Sequence, residues 1–225
     1  MNDDPADRIA KWLVGERLAC VLHLGDGALA YRLSAQGHEV VVAGDDVTVA
    51  RHPQVQYVRT AGERLPFVAD SFDVVLVPDL REAPTALAEY ARVLRPDGLV
   101  STLDRTHDES VPWVRKLRGI VGEASPRVTG VDTFGASGLF HEAESEEFAA
   151  WEQLDLAGLL QFVRATRPGV DDATLARVRE LFDANASGTG FLRLRHRTHG
   201  LRARVDKSSM TPDAPPPDTL LLDFR

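Results

Sequence analysis

Apolar residues recur along the chain with two alternating spacings, and the alternation lays out its elements. In residues 5–18, Ile9, Trp12, Leu13 and Leu18 fall at near-helical spacing, with Pro5 tolerated in a first turn. This predicts a lead-in helix. "ACVLHLG", residues 19–25, is a short apolar run ending at glycine and reads as a buried strand. "ALAYRLSAQG" reads as a helix closed by Gly37. "HEVVVAG" is a second, β-branched strand, and "VQYVRT" a third and weaker one. "SFDVVLVPDL" is a strong buried strand. "APTALAEYARVLRPDG" places Leu87, Tyr90, Ala91 and Leu94 on one helical stripe, stopped by Pro96 and Gly98, before the strand "LVSTLD". Strands alternating with helices up to about Asp104 imply βαβ units and a parallel sheet, and right-handed crossovers make that sheet doubly wound.

The second half changes character. "DESVPWVRKLRGIVGE" predicts a helix, and "TGVDTFGASG" a glycine-containing loop. "HEAESEEF" offers a histidine and several carboxylates without a spacing that converges them, so it reads as a solvated charged segment. "LDLAGLLQFVRAT" and "DDATLARVRELFDANA" are two helical patterns parted by Pro168 and Gly169. "GFLRLRHRT" and "GLRARV" alternate with period two across His199-Gly200, which predicts an antiparallel hairpin. In that hairpin His196 and Thr198 share a face with Leu192 and Leu194 and point inward. Arg193, Arg195 and Arg197 share the opposite face and read as a solvated sheet surface. Trp151 reads as core packing or as a wall of a substrate pocket. The Pro-rich segment 206–225 reads as a disordered tail, with its closing "TLLLDFR" suited to docking on a protein partner or back on its own domain. The expected organisation is one domain over residues 1–205, its halves at 19–104 and 105–205.

Charge and cysteine content narrow the setting. With 34 acidic against 26 basic residues the net charge is -8, which argues against nucleic-acid or anionic-membrane binding. Cys20, alone in the chain and set in an apolar strand, excludes an internal disulfide and reads as a buried inert thiol. No apolar run is long enough to span a bilayer and no signal core precedes the first helix, so a cytoplasmic location is expected. No metal-ligand spacing is present.

Three stretches resemble the class I S-adenosylmethionine-dependent methyltransferases. "VLHLGDGALAYRLSAQGHEV" is similar to that family's V-L-D-L-G-x-G-x-G turn and following helix. "AGERLPFVADSFDVVLVPDLREAPTALAEYARVLRPDGLV" is similar to its A-E-x-L-P-F, S-F-D-x-V and E-x-x-R-V-L-x-P-G-G run, the most specific of the three. "GLFHEAESEEFAAWEQLDLAGLLQFVRAT" and "RHRTHGLRAR" resemble the C-terminal part of one branch. The resemblance implies a Rossmann-like, mostly parallel seven-stranded sheet and S-adenosylmethionine as cofactor, acting on a small-molecule acceptor. In that picture Gly25, Asp26 and Gly27 line the cofactor's amino-acid end, and Asp45 is the ribose partner. Glu63, Arg64 and Leu65 lie near the adenine, and Pro78 and Asp79 close the pocket beside the methyl group. His23 and His141 are candidates for a catalytic base; a hydrogen-bonded core position for His23 and a surface position for His141 are the plainer readings.

The departures from the family pattern gather at the cofactor. His23 stands where the first strand usually carries an acid, and Leu29 where a third glycine is expected, in a turn about two residues short. Family spacing puts the second-strand acid at Gly44, with Asp45 and Asp46 just beyond. Two functions therefore follow from the sequence: a methyltransferase acting by direct methyl transfer, or a methyltransferase-like domain that has lost its cofactor and serves as a binding or regulatory partner.

Overall fold

The computed structural model describes residues 5–25, 27, 29–45, 52–60, 64–77, 80, 84–122 and 132–210. Helix α1 (Pro5–Val14) buries Ile9, Ala10, Leu13 and Val14, one face of the predicted amphipathic pattern, and ends at Gly15 with φ of 92°. It is followed by β1 (Cys20–Leu24), α2 (Ala30–Ala35), β2 (Glu39–Gly44), β3 (Val55–Arg59), β4 (Phe72–Val77) and α3 (Pro84–Val93). Next come β5 (Leu94–His107), α4 (Pro112–Val121), the short α5 (Asp132–Ala136), β6 (Glu144–Leu154), α6 (Leu156–Thr166), α7 (Asp172–Asn185) and β7 (Leu192–Arg204). The strands form one sheet in the order β3-β2-β1-β4-β5-β7-β6.

The β3, β2, β1, β4 and β5 neighbours all pair in parallel. The β5–β7 pairing is antiparallel: the Val205 N–H bonds to Gly98 at one end, and the Asp108 N–H bonds to Arg195 at the other. The mostly parallel sheet with antiparallel strands at its C-terminal side is the architecture the sequence implied.

The chain divides into two compact units. Among described residues, the first holds 5–104, 132–146 and 199–210, and the second holds 105–122 and 147–198. The first unit's main core lies on one face of its strands. Leu22, Val41, Val75 and Val100 are fully buried, with Leu87, Tyr90 and Ala91 of α3 and Phe134, Phe140, Leu201, Ala203 and Val205 around them. The second unit's core is helical on one sheet face, with Trp113, Val114 and Leu117 of α4, Leu159 and Val163 of α6, and Leu175, Val178 and Leu181 of α7 around Leu192 and Leu194. Asp155 and Asp171 cap α6 and α7, each accepting from the backbone N–H three residues on at 2.7 Å.

Five expectations are corrected. First, His199-Gly200 is not a turn: β7 runs straight through it as one strand. The alternation breaks there because the buried face changes, from Leu192, Leu194, His196, Thr198 and Gly200 on one side to Leu201 and Ala203 on the other. Gly200 is glycine because Trp12 lies on it; a Cβ there would stand 2.6 Å from the indole. The antiparallel partner of β7 in the outer sheet is β6, and α6 and α7 intervene between them.

Second, the charged stretch from Glu144 is solvated as expected, but it begins an edge strand, β6, that the sequence did not announce. Only Phe148 and Leu154 of that strand are buried, so no alternation announces it. Third, "TGVDTFGASG" contains α5, anchored by the fully buried Phe134, whose carbonyl accepts the Ser137 hydroxyl at 2.6 Å. Fourth, the helix expected to carry Leu94 and stop at Pro96 and Gly98 ends at Val93 instead, Leu94 already pairs in β5, and residues 95–98 bulge out before regular pairing resumes at Leu99. Asp97 carries φ of 63° in that bulge, and Gly98 sits so close that a Cβ would meet the Arg95 carbonyl at 2.9 Å. Fifth, Trp151 is not in the core: it is 54% exposed, under the guanidinium of Arg193 at 4.8 Å. Cys20 is buried as expected; burial pushes its thiol up to about 11 against the opposing pull of Arg95. The tail from 211 onward lies outside the described residues.

Candidate functional site

At the carboxyl ends of β1 and β2 the backbone approaches itself closely. Gly25, with φ of 90°, donates its N–H to Ala43 at 2.9 Å. Gly44 ends β2, and a Cβ on it would stand 2.9 Å from the Gly25 carbonyl oxygen. Gly27, with φ of 72°, lies against Val42, where a Cβ would meet Cγ2 at 2.9 Å, and its carbonyl accepts the Ala30 N–H at 2.8 Å. The space beside Gly44 is taken by the turn after β1, so an acidic side chain does not fit there. The first carboxylate past the strand is the exposed Asp45. Gly25 itself is exposed, so bare peptide faces solvent at the mouth of β1.

His23 is buried, with Nδ1 2.9 Å from the Leu24 carbonyl and Nε2 3.4 Å from the Leu29 N–H. Since a carbonyl only accepts and an amide N–H only donates, the proton is on Nδ1 and the Nε2 lone pair holds Leu29. The ring thus ties the end of β1 to the start of α2, and both nitrogens are engaged. Leu29 is half-buried and leads into α2, which is only one and a half turns long. His141 is exposed and uses its backbone N–H on the Arg204 carbonyl at 2.9 Å.

The Leu65–Phe67 segment is held by a buried clamp. Arg92 of α3 donates to the Phe67 carbonyl at 2.8 Å and the Leu65 carbonyl at 3.1 Å, and bonds both oxygens of Glu89 at 2.8 Å. Glu89 also accepts the Leu65 N–H at 2.9 Å. Burial raises the Glu89 carboxyl, but hydrogen bonds from Arg92 and Leu65 and the Arg92 charge outweigh it and leave it below its ordinary range. This explains why L-P-F and E-x-x-R occur together: the second motif fixes the backbone of the first. Leu65 is buried and Arg64 exposed. Asp26, Glu63, Pro78 and Asp79 lie outside the described residues.

Sequence reasoning missed a second cluster, in the second unit. His196 of β7, His107 of β5 and Glu152 of β6 form a row across three neighbouring strands. His196 Nε2 is 2.6 Å from Glu152 Oε2, and the two imidazole centroids are 5.3 Å apart. Burial drives both imidazoles below their ordinary range. The inward position of His196 was readable from period two. His107 was not, because β5 outruns the apolar stretch that marks it, nor was Glu152, because β6 has no apolar face. On the reverse face Arg195 bonds Asp108 at 3.2 Å.

Among the described residues, no group of three or more His, Cys, Asp or Glu is placed to hold a metal ion, and no helix is long and apolar enough to cross a membrane.

Comparison with known proteins fits this geometry. The family described as methyltransferase domain matches residues 22–102. A curated relative from Mycobacterium tuberculosis, named as an uncharacterized methyltransferase, is 32% identical over 185 residues, 76% of each chain. Among solved structures, a provisional type II methyltransferase from Anaeromyxobacter dehalogenans superposes with a TM-score of 0.61 at 21% identity, covering 88% of this chain and 94% of its own. The YcgJ protein of Bacillus subtilis gives 0.56 at 14% identity, covering 89% of this chain and 97% of its own. At those identities the structures speak for the fold.

Proposed function

The chain belongs to the S-adenosylmethionine-dependent methyltransferase family and is a methyltransferase enzyme, and from that premise we propose that it binds S-adenosylmethionine itself and methylates a small molecule. The observation that carries this is the exposed Gly25 backbone at the mouth of β1, with the exposed Asp45 just beyond the touching Gly44. A ligand there meets peptide rather than a Cβ. The residues fit the cofactor's chemistry. The Asp45 carboxylate accepts from ribose hydroxyls, and the Arg92 clamp fixes the backbone of Leu65, next to Arg64, for the adenine. Asp26, Gly27, Glu63, Pro78 and Asp79 complete the proposed cofactor site. When bound, the cofactor supplies a methyl group made electrophilic by its sulfonium. The chain's task is alignment and exclusion of water.

Thermal unfolding with S-adenosylhomocysteine tests the reading. At about 100 times its dissociation constant, a ligand that binds only the folded chain adds about 2.7 kcal/mol, or about 5 to 10 °C in Tm for a chain of this size. Asp45→Ala should weaken binding about 10- to 100-fold, the worth of charge-assisted hydrogen bonds. Absence of any shift at millimolar ligand would leave a cofactor-free scaffold and end the proposal.

A further inference from the structure

Two departures from the family pattern, His23 in β1 and Leu29 at the exit of the glycine turn, meet in the first unit. Leu29 is the N-cap residue of α2, and its side chain has no acceptor to offer the start of that helix. The acceptor comes from the strand instead: His23 Nε2 lies 3.4 Å from the Leu29 N–H. The other ring nitrogen, 2.9 Å from the Leu24 carbonyl, fixes the ring in one orientation. The side chain is buried and stands in register with Val42 of β2 and Leu76 of β4. Both ends of the turn are thus tied. The Gly25 N–H holds its entry to Ala43 at 2.9 Å, and His23 holds its exit. Between these ties Gly25 and Gly27 keep φ of 90° and 72°, the conformations that leave bare peptide for a ligand. A loop already held in its binding form spares the ligand the cost of ordering it.

Resting on the reading that the chain binds S-adenosylmethionine, we propose that His23 is a positioning residue of the cofactor site. Its Nε2 lone pair holds the exit of the shortened turn through the Leu29 N–H and keeps the Gly25 and Gly27 backbone set for the ligand. It acts through the main chain and not on the ligand. An aspartate at position 23 does not do this. Its oxygens stand one bond nearer the main chain than Nε2, and it has no proton for the Leu24 carbonyl. Buried there, its charge would face that carbonyl oxygen. The acid missing from β1 and the shortened turn are therefore two halves of one change: the shorter turn needs a longer, proton-bearing side chain beside it.

Two amides of different length test this in the full chain, with S-adenosylhomocysteine as the calorimetric probe. H23Q carries an amide oxygen as far out as Nε2 and should keep the dissociation constant within about threefold of the unaltered chain. H23N ends at the depth of Nδ1. It still donates to Leu24 but does not reach Leu29, so affinity should fall about tenfold, the worth of one hydrogen bond. In H23N the Leu29 amide should also exchange its hydrogen about tenfold faster, while that of Gly25, bonded to Ala43, keeps its rate. V178A, a cavity in the second unit's core, controls for instability alone: it should unfold at lower urea and bind as the unaltered chain does. Nitrogen-15 NMR of the unaltered chain should show His23 as the Nδ1-protonated tautomer, a readout that needs neither variant. An Nε2-protonated ring, or H23Q and H23N binding alike, overturns the positioning role while cofactor binding stands. An unaltered chain blind to S-adenosylhomocysteine at millimolar concentration overturns the premise and the role with it.

Discussion

His23 and His196 are both buried on strands, one in each unit, and they differ in what their nitrogens meet. His23 spends both on backbone, at Leu24 and Leu29. His196 spends one on Glu152 and leaves the other bare. The same contrast separates the surroundings. In the first unit buried polar groups close on one another, as Arg92 does on Glu89, Leu65 and Phe67. In the second unit His107, His196 and Arg195 each keep a buried nitrogen without a partner among the described residues. Closed polar groups stabilise a scaffold, whereas open ones cost stability and suit a ligand.

The largest expected effect tests the closed side. Arg92→Ala strands a buried Glu89 carboxylate and two carbonyls, and should cost about 3–5 kcal/mol in urea unfolding. A loss under about 1 kcal/mol would break the contrast. Gly27→Ala comes next. It forces a Cβ against Val42 at a φ of 72° and should cost about 2–3 kcal/mol together with the cofactor's thermal shift. Gly169→Ala, with φ of 80° but open space around it, should cost only about 1 kcal/mol of strain and leave the shift intact.

Acidification sharpens the open side. His107 and His196 are held below their unfolded value by burial, as is His38, whose Nδ1 accepts the Ala19 N–H. The folded chain therefore binds fewer protons than the unfolded one. Stability is full above about pH 6.5 and falls as pH drops below it. Between pH 7.5 and 5.5 urea unfolding should therefore show stability falling as the pH drops. The H107Q/H196Q double variant should keep only the His38 part, and an unchanged pH profile would deny the second unit its acid-sensitive pair. The smallest effect is a gain: Asp97→Gly relieves the φ of 63° and should add about 0.5–1 kcal/mol in the same unfolding measurement.

Legibility in the sequence follows the same division. Strands β1, β2 and β4 are buried on both faces and show as apolar runs, and Gly37 ends its helix where expected, whereas the lead-in helix expected to reach Leu18 stops at Val14 and leaves Leu18 exposed. The cofactor turn was readable as altered, yet why Gly44 is not an acid needed the contact with Gly25. The hidden parts are those whose determinants lie far off in sequence. Gly200 reads as a turn until Trp12 is seen lying on it. β6 is an edge strand with eleven residues and little burial, so periodicity has nothing to report. With β6 unseen and β5 ended early, the neighbours of His196 could not be assembled.

The 2.9 Å approach of position 44 to the Gly25 carbonyl also bears on how such a site changes over time. Placing a carboxylate at position 44 requires the turn after β1 to open first, and opening it gains nothing if Asp45 holds the ribose as proposed. Each substitution is unfavourable without the other. On the proposed site, positions 25 and 44 are thus coupled by epistasis, and only a coordinated change at both would let position 44 carry the acid.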